Sequence, residues 1–89
     1  DLINNETNRD PSFYMNRAEC YINNGKTLLA SADLRSVELS QSNNPYYYFL
    51  RGRVRLDQFD KTAAKADFNK AKSKGYDESI VEEWLKKAE

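Results

Sequence analysis

The feature that most constrains the fold is a repeat with a period of 34 residues. The segment 11–44 can be placed over 45–78 without a gap, so that Pro11 lies over Pro45. In this register the identical pairs are Tyr14 with Tyr48, Arg17 with Arg51, Ala30 with Ala64, Ala32 with Ala66, and Asp33 with Asp67. Self-similarity at a fixed period of this length is typical of proteins built from stacked repeats.

Each repeat is predicted to contain two helices joined by a turn. Asp10-Pro11 and Asn44-Pro45 can each open a helix, because an Asx side chain caps the first free amides and proline needs no N–H there. Apolar spacing and turn residues mark the remaining boundaries. The predicted helices run from Pro11 to the turn at Asn23-Asn24-Gly25, from Thr27 to Gln41, from Pro45 to Leu56, from Lys61 to Lys74 and from Glu78 to Ala88.

The segment after the second repeat is predicted to be a capping helix. Its apolar stripe consists of Ile80, Val81, Trp84 and Leu85, and charged residues occupy the other side. A terminal repeat needs a partner with a polar outer face. The predicted organisation is 1–10 as the tail of a truncated preceding repeat or a flexible lead-in, 11–44 as the first repeat, 45–76 as the second repeat and 77–89 as the cap.

Small and aromatic residues recur at fixed positions of both repeats. Counted from each proline, positions 4, 8, 11, 20, 24 and 27 are Tyr14, Ala18, Tyr21, Ala30, Leu34 and Val37, and then Tyr48, Gly52, Arg55, Ala64, Phe68 and Ala71. This resembles the tetratricopeptide repeat family, whose pattern has Tyr at position 11, so Arg55 departs from it. The resemblance implies an all-α fold, an α-solenoid of two stacked antiparallel helical hairpins with a C-terminal capping helix.

The resemblance also implies where a partner would bind. In this family the first helix of each repeat lines a concave groove, which implies a non-catalytic adaptor that binds a protein segment, either a peptide or a helix. The groove residues implied here are Met15, Asn16, Glu19, Asn23, Tyr46, Phe49, Arg53 and Asp57. Aromatic residues and arginine often anchor such surfaces. An open alternative is that the run 45–50 packs against the neighbouring repeat or against residues 1–9.

The charge distribution keeps a nucleic-acid function as an alternative. The whole chain carries 14 basic and 14 acidic residues, but segment 45–76 has 8 basic and 3 acidic residues, a net charge of +5. Arg51, Arg53 and Arg55 could bind phosphates beside aromatic residues, although their spacing spreads them around a helix. Because Arg51 repeats Arg17, and two aspartates repeat with them, structural contacts between these arginines and aspartates are the simpler interpretation. A purely structural segment of a longer repeat array is the third possibility.

No catalytic, metal or cofactor motif is present. The chain has no histidine, and we expect a non-enzyme without cofactor or metal. The single Cys20 is predicted to be a small buried hydrophobe, and an unpaired thiol favours a reducing compartment such as the cytoplasm. No apolar run approaches the roughly 18 residues of a membrane span, so no membrane association is expected. The start at Asp1 without methionine favours a piece of a longer protein with more repeats.

Overall fold

The computed structural model describes residues 10–89, and all regular secondary structure in that range is helical. The five helices are α1 (Pro11–Asn23), α2 (Thr27–Ser36), α3 (Pro45–Asp57), α4 (Lys61–Ser73) and α5 (Glu78–Lys87). The predicted all-α class is confirmed for this range. The prediction for residues 1–10 falls almost entirely outside the described residues.

Side-chain caps hold the starts of three helices. The Asn44 side chain accepts a hydrogen bond from the Tyr46 amide at 2.9 Å, and Asp60 and Asp77 cap α4 and α5 in the same way. Asp10 precedes Pro11 but makes no side-chain cap. The predicted Asx-Pro opening is therefore complete at α3, whereas at α1 it depends on the proline alone.

Three helices end at a residue in the left-handed conformation. Gly25 has φ 76° after α1 and Gly75 has φ 107° after α4, as is usual at helix ends. The third is Phe59, with φ 63° after α3. Phe59 follows Gly25 by one repeat period, so both repeats bend at the same position, although only the first uses glycine there.

The second helix is shorter than predicted. It ends at Ser36 instead of Gln41, and residues 37–43 form turns. Val37 already departs from helical geometry with φ −115°, and the Ser40 hydroxyl donates to the Val37 carbonyl at 3.3 Å. The amides of Val37 and Glu38 bond to the carbonyls three residues back, at 3.2 and 3.4 Å, so the chain has left the four-residue hydrogen-bond pattern of an α-helix there.

The core forms where small residues let the helices approach. Ala18, Ala30 and Ala64 are completely buried, and a Cβ atom added at Gly52 would lie only 2.6 Å from the Phe68 ring. Contacts join α1 to α2 and α3 to α4 most extensively, and α2 to α3, α4 to α5 and α1 to α3 less so. The described residues span 44 × 25 × 17 Å, an elongated helical body.

Matching ion pairs connect the two helices of each repeat. Arg17 donates two hydrogen bonds to Asp33, at 2.8 and 2.7 Å, and Arg51 donates two to Asp67, at 3.0 and 2.8 Å. Both aspartates are buried. The predicted structural role of these arginines is confirmed, and each buried carboxylate is stabilised by a bidentate guanidinium.

The last helix packs through three of the four residues of the predicted stripe, Val81, Trp84 and Leu85. Val81 and Ala88 are completely buried, Trp84 is half-buried with its ring 6.2 Å from that of Phe68, and Ile80 is 38% exposed. Trp84, a member of the predicted stripe, packs against Phe68 of α4. The inclusion of Ile80 in the buried stripe is wrong, because the contact face of α5 is centred on Val81.

The prediction for Cys20 is also wrong. Its thiol is exposed. The buried residues of α1 are Tyr14, Met15, Ala18 and Ile22, and at 100° per residue Cys20 lies on the opposite side of the helix.

Candidate partner-binding surface

Five of the eight predicted contact residues form one polar network between α1 and α3. Tyr46 donates its hydroxyl to a Glu19 carboxylate oxygen at 2.5 Å and lies 3.4 Å from the side-chain oxygen of Asn16. Arg53 donates to the Asn23 side chain at 2.9 Å and lies 3.8 Å from Glu19. We call Asn16, Glu19, Asn23, Tyr46 and Arg53 the α1–α3 network.

Arg53 occupies the centre of the α1–α3 network. Its guanidinium lies 4.7 Å from the Trp84 ring centroid and 6.0 Å from that of Phe49, so two aromatic rings shield it. Its side chain is only 13% exposed, and its buried Nε–H finds no acceptor in residues 10–89. A buried donor without an acceptor costs free energy.

Two of the predicted residues lie beneath this surface. Met15 is 3% and Phe49 is 4% exposed, and both belong to the core. The Phe49 ring stacks on Tyr76 at 4.6 Å and contacts Trp84 edge-on at 6.0 Å. These contacts agree with the alternative that the run 45–50 packs within the chain. Little of the Met15 and Phe49 side chains is accessible to a partner.

Asp57, the eighth predicted residue, lies away from the network. It is exposed at the end of α3 and accepts a hydrogen bond from the Thr27 hydroxyl at 3.2 Å, which connects α3 to the start of α2.

Two further aromatic residues border the surface and were not among the predicted contacts. The half-buried Tyr76 stacks on Tyr46 at 6.4 Å, and Trp84 covers Arg53. In the 34-residue register Tyr76 lies over Ser42, and this aromatic residue without a counterpart in the first repeat was the available signal. Trp84 gave no such signal, because its expected role was the cap.

Burial keeps the phenols of this surface protonated. The pKa of Tyr46 is raised well above 10, mainly by desolvation and then by its hydrogen bond to Glu19. Desolvation and the charge of Glu19 also raise the pKa of Tyr76. At neutral pH both are therefore hydrogen-bond donors with apolar rings, which suits them to polar recognition and not to proton transfer.

Comparison of the chain with models of protein families, with curated protein sequences and with solved structures gave no match. Within residues 10–89, no three acidic or cysteine side chains gather in a way that could hold a metal ion. Nor does any of the five described helices combine the length and the apolar character needed to cross a membrane.

Proposed function

We propose that the chain is a tetratricopeptide-like α-solenoid, with α1–α2 and α3–α4 as stacked antiparallel hairpins and α5 as the cap. The 34-residue period supports this arrangement, as do the equivalent pairs Arg17–Asp33 and Arg51–Asp67 and the contacts of α3 with both α1 and α2. In such a stack the first helices, α1 and α3, lie side by side on one face.

On this fold, the proposed function is non-catalytic binding of an extended peptide or a helix across α1 and α3. The observation that carries the proposal is the α1–α3 network, which presents carboxylate, amide and phenol groups beside aromatic rings. Such groups can pair with the backbone and side chains of a peptide, while Tyr46, Tyr76 and Trp84 offer apolar edges. The central Arg53 contacts both Asn23 and Glu19, so it is the residue whose loss should disturb this surface most.

The nucleic-acid alternative receives less support from the contacts. Each of Arg51, Arg53 and Arg55 has a carboxylate oxygen within 4 Å, and Arg53 pairs with Glu19 of α1 whereas Arg51 and Arg55 pair with Asp67 of α4. The three arginines therefore do not form the continuous row of cations that would follow a nucleic-acid backbone.

The test is peptide selection followed by substitution. Peptides selected from a random library on the immobilised chain are measured against Asn16→Ala, Glu19→Gln and Arg53→Gln, and against a Lys65→Gln/Lys86→Gln control on exposed positions outside the network. Arg53→Gln is expected to weaken binding about tenfold or more, with the control unchanged and all variants folded by circular dichroism. Equal affinity for Arg53→Gln and the control would reject this surface.

A further inference from the structure

A cleft lies between α2 and α3, outside the α1–α3 network. It is a cleft of about 260 Å³, below the size of most drug-like pockets but sufficient for a small group. Leu34 and Val54, both buried, are among its lining residues. On α3 the cleft residues Tyr47, Arg51 and Val54 form a stripe about a third of a turn from the stripe that carries Tyr46.

The cleft holds more positive charge than its acidic residues balance. Arg51 and Arg55 share one carboxylate, since both approach Asp67, at 2.8 and 3.3 Å. In the first repeat the position of Arg55 is Tyr21, so there a single arginine faces a single aspartate. The guanidinium of Arg55 therefore has no counterpart in the first repeat, where the ion pair forms without it.

The opposite wall adds a third guanidinium. The Arg35 side chain, exposed on α2, makes no hydrogen bond or ion pair in residues 10–89. Glu38, in the turn after α2, is the acidic residue that lines the same cleft, and it also is without an ion pair in the described chain. With three arginines against Asp67 and Glu38, the site retains a net charge of +1.

A buried hydroxyl faces the same space. Tyr47 is 2% exposed, and its oxygen accepts a hydrogen bond from Arg51 at 3.3 Å. Its own proton has no acceptor in the described chain. Desolvation raises the pKa of Tyr47, so the hydroxyl remains a donor at neutral pH.

We propose that this cleft binds a phosphate group, with Arg35 from α2 on one side and Arg55 and the Tyr47 hydroxyl from α3 on the other. A tetrahedral phosphate offers oxygens in several directions and can accept from both walls, whereas the two oxygens of a carboxylate lie in one plane. The volume allows the phosphate to be free or to be joined to a small organic group.

The test is an NMR titration of the ¹⁵N-labelled chain with inorganic phosphate at constant ionic strength, kept with chloride. Saturable shifts of the Arg35 and Arg55 Nε–H signals are expected. Arg55→Tyr, which restores the first-repeat residue, and Arg35→Gln should each weaken binding about tenfold or more, because each removes charge-assisted donors. Glu38→Gln should strengthen it.

Further variants and ligands keep the outcome decisive. Lys65→Gln removes one positive charge elsewhere and should leave the affinity unchanged, and Arg53→Gln should do the same, which separates this site from the peptide surface. If Arg55→Tyr does not fold, Arg55→Gln takes its place. O-phosphoserine distinguishes an esterified from a free phosphate, and acetate should bind more weakly than either. Linear, unsaturated shifts, or equal affinity in Arg35→Gln and Lys65→Gln, would overturn the proposal.

Discussion

Gly52 is the residue at which one added atom changes the packing most. In a helix interior, Gly→Ala normally stabilises by up to about 1 kcal/mol. Here the new Cβ would lie 2.6 Å from the completely buried Phe68 ring, so the clash should reverse the sign. We expect Gly52→Ala to lower the free energy of unfolding by about 1–2 kcal/mol in urea denaturation. The double variant Gly52→Ala/Phe68→Leu should lose less free energy of unfolding than the sum of the losses in the two single variants. A Gly52→Ala variant more stable than wild type would contradict the close packing of Gly52 against Phe68.

Phe59 carries a backbone cost that its counterpart Gly25 avoids. A non-glycine residue in the left-handed region costs roughly 1–2 kcal/mol, and the Phe59 ring is 88% exposed, so little packing compensates. Phe59→Gly should therefore raise the free energy of unfolding by about 0.5–1 kcal/mol, after the extra chain entropy of glycine is subtracted. Gly25→Ala is the reverse substitution and serves as the control. A Cβ added at Gly25 meets nothing within 4 Å, so a decrease of about 1 kcal/mol in the free energy of unfolding would reflect backbone strain alone. A Phe59→Gly variant less stable than wild type would show that the Phe59 ring makes stabilising contacts and would contradict its exposure.

The phenols of Tyr46, Tyr47 and Tyr76 should make the fold sensitive to alkaline pH. Their pKa values are raised in the folded chain, so above pH 10 the unfolded chain releases protons that the folded chain retains. Their contribution to stability is therefore complete below pH 10 and is lost as pH rises beyond it. Urea denaturation from pH 7 to 11 should show this decline, and Tyr46→Phe should make it shallower. An unchanged slope in Tyr46→Phe would mean that its phenol ionises freely in the folded state.

At the scale of the element, α5 offers a comparison of neighbouring side chains. Val81→Ala should cost about 2 kcal/mol, because it removes two buried methyl groups and leaves a cavity. Ile80→Ala, at a position 38% exposed, should cost less than half as much. Urea denaturation followed by the fluorescence of Trp84, the single tryptophan, measures both. The reverse order would centre the contact face of α5 on Ile80 instead of Val81.

Helix starts could be predicted from the sequence better than helix ends. Asn44, Asp60 and Asp77 act on the next few amides, which is local chemistry that a sequence displays. The end of α2 was missed because the change from four-residue to three-residue hydrogen bonds at Val37 and Glu38 is not marked by any glycine or proline in the sequence. The exposed side of α1 was missed at Cys20 for a different reason, since burial depends on which faces the other helices cover.

For the whole molecule, long-range contacts could be predicted where the repeat displays them twice. Arg17–Asp33 and Arg51–Asp67 have the same spacing, so each supports the interpretation of the other. The aromatic cluster of Tyr76, Phe49 and Trp84 has no counterpart in the first repeat, and it depends on how the chain after α4 folds back. This is why the sequence left the burial of Phe49 as one of two alternatives, and why the polar pairing of the candidate surface came only from the structure.

The central claim is that the face shared by α1 and α3 receives a peptide. The most direct test is the ¹H–¹⁵N spectrum of the labelled chain as a selected peptide is added. We predict that the largest shifts fall on Asn16, Asn23 and Tyr46 and on the Arg53 side chain, with small changes on the exposed face of α2 at Leu28. Shifts centred on α2 or α4, with the α1–α3 network unchanged, would contradict the account.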